Sequence, residues 1–111
     1  MKSLQAISDD TKTIGILLVE GFPLIPFSCV VDSMRAANRL SGKNLFCWEY
    51  FAADDNPVAA SCGITVPTRA LVEAKDLDSL VIVAPNTAQH FDDSKTLKQL
   101  KLLDKQQVNL G

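Results

Sequence analysis

The sequence predicts an open α/β domain built around a parallel sheet. Three observations carry that expectation. Two nearly continuous apolar runs, "TIGILLV" at 13–19 and "LVIVA" at 80–84, have the pattern of strands covered on both faces. Between them lies one long stretch of helical period. Strand-like and helix-like segments also alternate along the chain, as βαβ units require.

The first run should form a central strand over residues 13–19. From Pro26 to Leu40, steps of 100° resolve the helix into three stripes. Phe27, Val30, Val31, Met34 and Ala37 form the apolar stripe that should lie on the sheet. Ser28, Asp32, Arg35 and Arg39 form the solvated stripe, with Asp32 and Arg35 at the i,i+3 spacing of a helical ion pair. Cys29, Ser33, Ala36 and Leu40 form a third, mostly small stripe, which another helix of this chain or of a second copy could approach closely. "LSGKN" at 40–44 stops the helix, with Gly42 suited to the left-handed position beyond its end.

"LFCWEYFAA" at 45–53 alternates as a strand with Phe46, Trp48 and Tyr50 on one face, and Glu49 suggests an edge. "DDNP" at 54–57 reads as a turn rather than a working pair of carboxylates. "VAASCGITVPT" should be a β-hairpin with Gly63 where φ is positive. A short helical turn is expected over Ala70 to Ala74, then the second apolar strand over 79–84, ended by Pro85. A final helix capped by Asp92 or Ser94 should reach Gln107 with Leu97, Leu100 and Leu103 inward, and "VNLG" should begin another strand. Four residues barely cover a neighbouring strand, so the chain reads as the front part of a domain, with an apolar strand edge that favours pairing with another chain.

Composition narrows the function. At 111 residues the chain is one domain at most, and folding would bury about 65% of its extended surface. Apolar residues make up 47% and charged residues 22%, as in ordinary globular proteins. A net charge of −2 lacks the basic surplus of most nucleic-acid binders. No stretch has the length of a membrane span or the pattern of a secretory signal, so a cytoplasmic location and no membrane partner are expected. Cys29, Cys47 and Cys62 have neither CxxC nor Cys/His spacing and are expected to be buried thiols. His90, the sole histidine, follows the second central strand but has no nucleophile placed beside it, and is read as a loop residue. Cys62 lacks a helix N-terminus or cation to lower its pKa and is read as structural. No GxGxxG, Walker, GxSxG or HExxH motif occurs, and no metal or cofactor is implied. A crevice at the carboxyl ends of the strands would expose Glu20 and Phe22 after the first strand and Asn86 and Thr87 after the second, which makes these four the candidate ligand residues.

The succession "GFPLIPFSCVVDSMRAANRLSG", then "W" followed by "AADDNPVAASCGI", resembles the amino-terminal domain of AraC-family transcriptional regulators that carry a class I glutamine amidotransferase-like, or PfpI-type, domain. The resemblance runs from about Thr13 to Gly111, with residues 1–12 as a flexible amino-terminal segment. It implies a flavodoxin-like three-layer sandwich with a mostly parallel sheet, truncated after about the first half of the domain. It further implies a homodimer, for which the small stripe of Cys29, Ser33, Ala36 and Leu40 supplies the candidate interface residues, a small-molecule effector, and DNA contact only through a carboxy-terminal helix-turn-helix domain. Enzymes of the wider superfamily place an acid near the first turn of this helix, close to a reactive cysteine. The matching position here is Pro26, which has no proton or charge to offer, and the cysteine's elbow would follow "VNLG". Pro85 and Asn86 replace the family's glycine pair. A non-catalytic sensor is the expectation; a fragment of a PfpI-type amidase or hydrolase and a self-contained dimerising module are the alternatives.

Overall fold

The computed structural model describes residues 10–85 and the backbone of 109–110. The expected amino-terminal segment lies almost wholly outside the described residues, as do Asn86, Thr87, His90 and the expected helix of 92–107.

Strand β1 (Lys12–Leu18) is the centre of a five-stranded sheet. The chain leaves it through helix α1 (Leu24–Ser41) and returns as β2 (Phe46–Ala52), parallel to β1 with Ile14 opposite Trp48. A separate antiparallel hairpin follows, β3 (Val58–Ala59) and β4 (Thr65–Val66). Short β5 (Arg69–Ala70) adds to the outer side of β2, and a single 3-10 turn covers Leu71–Glu73. Strand β6 (Ser79–Val83) lies against the other side of β1, and β7 (Asn109–Leu110) continues outward from β6. The order is therefore β5-β2-β1-β6-β7 with every pair parallel, the open α/β arrangement expected from the two apolar runs.

Alternation in β1 feeds two cores. Ile14, Ile16 and Leu18 join Trp48 and Val83 on the face under α1, where Met34 is buried and Phe27, Val30 and Val31 pack against them. Leu17 joins Phe51, Leu71, Leu77 and Leu80 on the opposite face. Gly15 belongs to that second face, and a Cβ there would stand 2.7 Å from Leu77 Cδ1 and 2.9 Å from Leu80 Cδ1. Aromatic rings knit α1 to the sheet, with Phe27 5.3 Å from Phe22 and 5.6 Å from Tyr50.

Helix α1 begins at Leu24, two residues before the expected start. Pro26 is its third residue, in the first turn, where a backbone N–H would have no helical acceptor in any case. The helix ends as its sequence requires. Gly42 is left-handed at φ 69° and its N–H donates to Asn38 O and Arg39 O. Asn38 then ties the helix to β2, because its side-chain amide donates to Phe46 O and accepts from Phe46 N–H, each at 2.9 Å. That bridge satisfies edge groups at the start of β2. Farther along, β2 meets β5 only at Phe51 and Ala52, so Glu49 does lie on a largely open margin, paired with Arg69 at 2.9 Å.

The expectation of three buried thiols needs correction. Only Cys47 of the three is buried, with its sulfur 3.3 Å from Thr13 Oγ1; Cys29 and Cys62 are exposed. Cys29 sits on the side of α1 turned from the sheet and Cys62 at the hairpin tip, positions that small-residue composition alone did not separate from the core.

Candidate functional site

The carboxyl ends of β1 and β2 open into a cleft of about 340 Å³. It is lined by Leu17 and Leu18 at the end of β1 with Val19 and Glu20 just beyond, by Ala52 and Ala53 at and after the end of β2, and by the turn that leads to Val58 of β3. Local chemistry shapes that turn. Asp54 Oδ1 accepts from Asn56 N–H at 3.0 Å, an Asx turn, and Thr68 Oγ1 donates to Asn56 O at 2.8 Å. The acidic "DDNP" therefore is a turn, as its residues suggest, and it also lines the cleft, which reading it as punctuation missed. Its place after the second parallel strand was the available signal, because strands that run together end together.

Beyond β1 the chain passes Val19, whose N–H still bonds Val83 O at 3.1 Å, and turns at Gly21 with φ 83°. The hairpin docks on this turn. Gly21 N–H donates to Ala59 O at 2.8 Å, Ser61 N–H to Phe22 O at 2.9 Å, and Ala59 N–H to Glu20 Oε2 at 3.0 Å. Phe22 also bridges Ala60 in parallel fashion. Gly63, at φ 94°, makes the hairpin tip as its sequence predicts.

Of the four candidate ligand residues, Glu20 lies in the cleft with one carboxylate oxygen given to the hairpin. Phe22 is fully buried against Phe27, in the core beneath α1. Asn86 and Thr87 are outside the described residues. The cleft thus sits at the carboxyl ends of β1 and β2.

The solvated stripe of α1 forms as its spacing predicts, with Arg35 Nε donating to Asp32 Oδ1 at 2.8 Å. This hydrogen bond and the guanidinium charge hold the Asp32 carboxyl below its ordinary value. Of the candidate interface residues, Cys29, Ser33 and Leu40 are exposed and Ala36 is half-buried. Ile25, one turn before Cys29, extends the same stripe and is 77% exposed, while Leu40 at its far end is 85% exposed. No helix among the described residues is long and apolar enough to cross a membrane. Among those residues no three His, Cys, Asp or Glu side chains gather as a metal site.

No protein-family model matches the chain. Among curated proteins it is 33% identical over 72 residues to the HTH-type transcriptional regulator GbdR of Pseudomonas aeruginosa, covering 64% of this chain and 20% of that protein. It is 33% identical over 96 residues to the HTH-type transcriptional regulator CdhR of the same species, covering 86% of this chain and 28% of that one. The chain thus matches between a fifth and a third of the length of these relatives. Among solved structures, an AraC family transcriptional regulator from Pseudomonas putida superposes with a TM-score of 0.73 at 21% identity, over 90% of this chain and 54% of that one. A DJ-1 superfamily protein from Agrobacterium tumefaciens superposes with a TM-score of 0.66 at 18% identity, over 90% and 52%. The homologues of this chain are HTH-type regulators of the AraC-like kind, and it carries the flavodoxin-like α/β fold of the DJ-1/PfpI type.

Proposed function

We propose that this chain is the amino-terminal effector-binding and dimerising part of an AraC-type transcription regulator, that it performs no catalysis, and that DNA is bound by a helix-turn-helix domain outside it. The observation that carries the reading is the 33% identity to two HTH-type regulators over most of the chain. The geometry supports it in two places. The cleft beside Glu20 has the volume of a small-metabolite site, at the strand ends where open α/β sheets receive ligands. Helix α1 turns an outward stripe of Ile25, Cys29, Ser33, Ala36 and Leu40 to solvent, and two such stripes can pack at close range across a two-fold axis. Pro26, in the first turn of α1, stands where the superfamily's enzymes have an acid, which supports a silent site. An effector would act by preferring one of two dimer geometries, and so reset the spacing of attached DNA-binding domains.

Two measurements on the chain test this. Sedimentation should give a dimer, and Ser33→Arg, which changes an exposed residue, should give a folded monomer with an unaltered circular dichroism spectrum. A thermal-shift screen of small metabolites should find a stabilising compound whose effect is lost in Ala53→Trp, which narrows the cleft from its exposed rim. A wild-type chain that stays monomeric at high concentration would remove the dimer reading. Amidase or glyoxalase turnover above the blank would favour instead a fragment of a PfpI-type hydrolase.

A further inference from the structure

The hairpin packs Val58, Ala60 and Val66 on the core, and its hydrogen bonds to residues 20–22 run along one short seam that borders the cleft. Among the described residues three amides cross it: Gly21 N–H to Ala59 O, Ala59 N–H to Glu20 Oε2, and Ser61 N–H to Phe22 O. The first and third are backbone pairs. The middle one is made by a side chain that itself lines the cleft. Two further amide bonds, Ala60 N–H to Ile64 O at 2.7 Å and Gly63 N–H to Ala60 O at 2.9 Å, lie wholly inside the hairpin and hold its shape without reference to the seam. The hairpin forms its own two-stranded sheet, apart from the five-stranded one. Its inner residues Val58, Ala60 and Val66 are buried against the core, while the tip from Ser61 to Thr65 is exposed.

We infer that the β3–β4 hairpin is a rigid strap along the cleft, held shut by the Glu20 carboxylate acting as its latch. The Ala59 contact is solvent-exposed and, at 3.0 Å, the longest of the three, but it is the one whose acceptor is a side chain, so it is the one a change inside the cleft can reach. The turn from Asp54 to Val58 runs directly into β3, so movement of the strap carries one wall of the cleft with it. The same seam continues through Pro23 into α1. Opening of the strap therefore alters the cleft and the entry to the outward-facing helix together. Glu20 is here a positioning residue, and the inference concerns the free chain, independent of any effector or of dimer formation.

Amide hydrogen exchange followed by NMR on the chain tests it, comparing wild type with Glu20→Ala. If the strap opens as a unit, Gly21, Ala59 and Ser61 should exchange faster together, by about two- to tenfold, since they share one opening event. Ala60 and Gly63, internal to the hairpin, and Gly42 and Asp78, remote from it, should keep their wild-type rates. Acceleration of Ala59 alone would mean that only a local bond was lost, and would overturn the strap; unchanged rates at all three would overturn the latch. Glu20→Gln keeps a neutral acceptor, so if Glu20→Ala fails to fold it provides the same test. It should accelerate the same three amides to a smaller degree, and no acceleration there would equally refute the latch.

Discussion

Gly15→Ala is the sharpest test of the packing beneath the sheet. A methyl group at this position would meet Leu77 Cδ1 at 2.7 Å, Leu80 Cδ1 at 2.9 Å and Phe51 Cε2 at 3.2 Å. Carbon atoms at rest stand about 3.5–4.0 Å apart, so two leucines must withdraw. Leu80 and Phe51 are fully buried and Leu77 nearly so, which leaves little space for that movement. The backbone has as little freedom, since β1 is bonded to β2 and β6 on either side of Gly15. Overpacking of this kind costs about 1–3 kcal/mol, and loss of glycine's freedom in the unfolded chain returns about 0.4–1 kcal/mol. The net expectation is destabilisation centred on about 1.3 kcal/mol and bounded by about 0 and 2.6 kcal/mol. Urea denaturation at fixed protein concentration should show a lower midpoint with an unchanged slope. Shortening Leu77 should relieve part of the clash, so Gly15→Ala combined with Leu77→Ala should cost less than the two changes added together. A Gly15→Ala protein more stable than wild type, or strict additivity in the cycle, would refute the packing argument.

Asn38→Leu removes both amide bonds to Phe46 and should destabilise by about 1–3 kcal/mol in the same urea assay; a smaller loss would mean that water replaces the bridge. Asp32 is held below its ordinary value by the hydrogen bond from Arg35, so its charged form is favoured in the folded state. That contribution is fully present above the usual carboxylate range and is lost as pH falls through the folded value, so the stability gap between wild type and Asp32→Asn should close on acidification. A gap constant with pH would remove the ion pair from the account. Thiol labelling followed by mass should modify Cys62 readily and Cys47 only on unfolding. If α1 forms the dimer interface, Cys29 should label more slowly as protein concentration rises, and a rate independent of concentration would argue against that interface.

The elements were legible where one physical rule acted alone. The apolar runs at 13–19 and 80–84 appear as parallel neighbours because a strand with no polar face has to be covered on both. The stripes of α1 and its glycine stop follow from helical period and from the one residue type suited to a left-handed cap. "DDNP" and "SCG" formed a turn and a hairpin tip because side-chain acceptors and glycine favour them locally. The start of α1 was misjudged because proline reads as a beginning, although it is tolerated anywhere in the first turn.

What only the tertiary structure decided is how these pieces meet. Sequence order cannot say that the hairpin doubles back onto residues 20–22, because that contact joins backbone groups nearly forty positions apart and has no compositional signature. For the same reason Phe22 and Glu20, two residues apart in a loop, reach opposite fates: one ring is buried under α1, and one carboxylate holds the hairpin beside the cleft. The exposure of Cys29 and Cys62 was likewise a matter of which surfaces pack together. Local chemistry determined the elements of this protein, while long-range packing determined which of their side chains border the cleft.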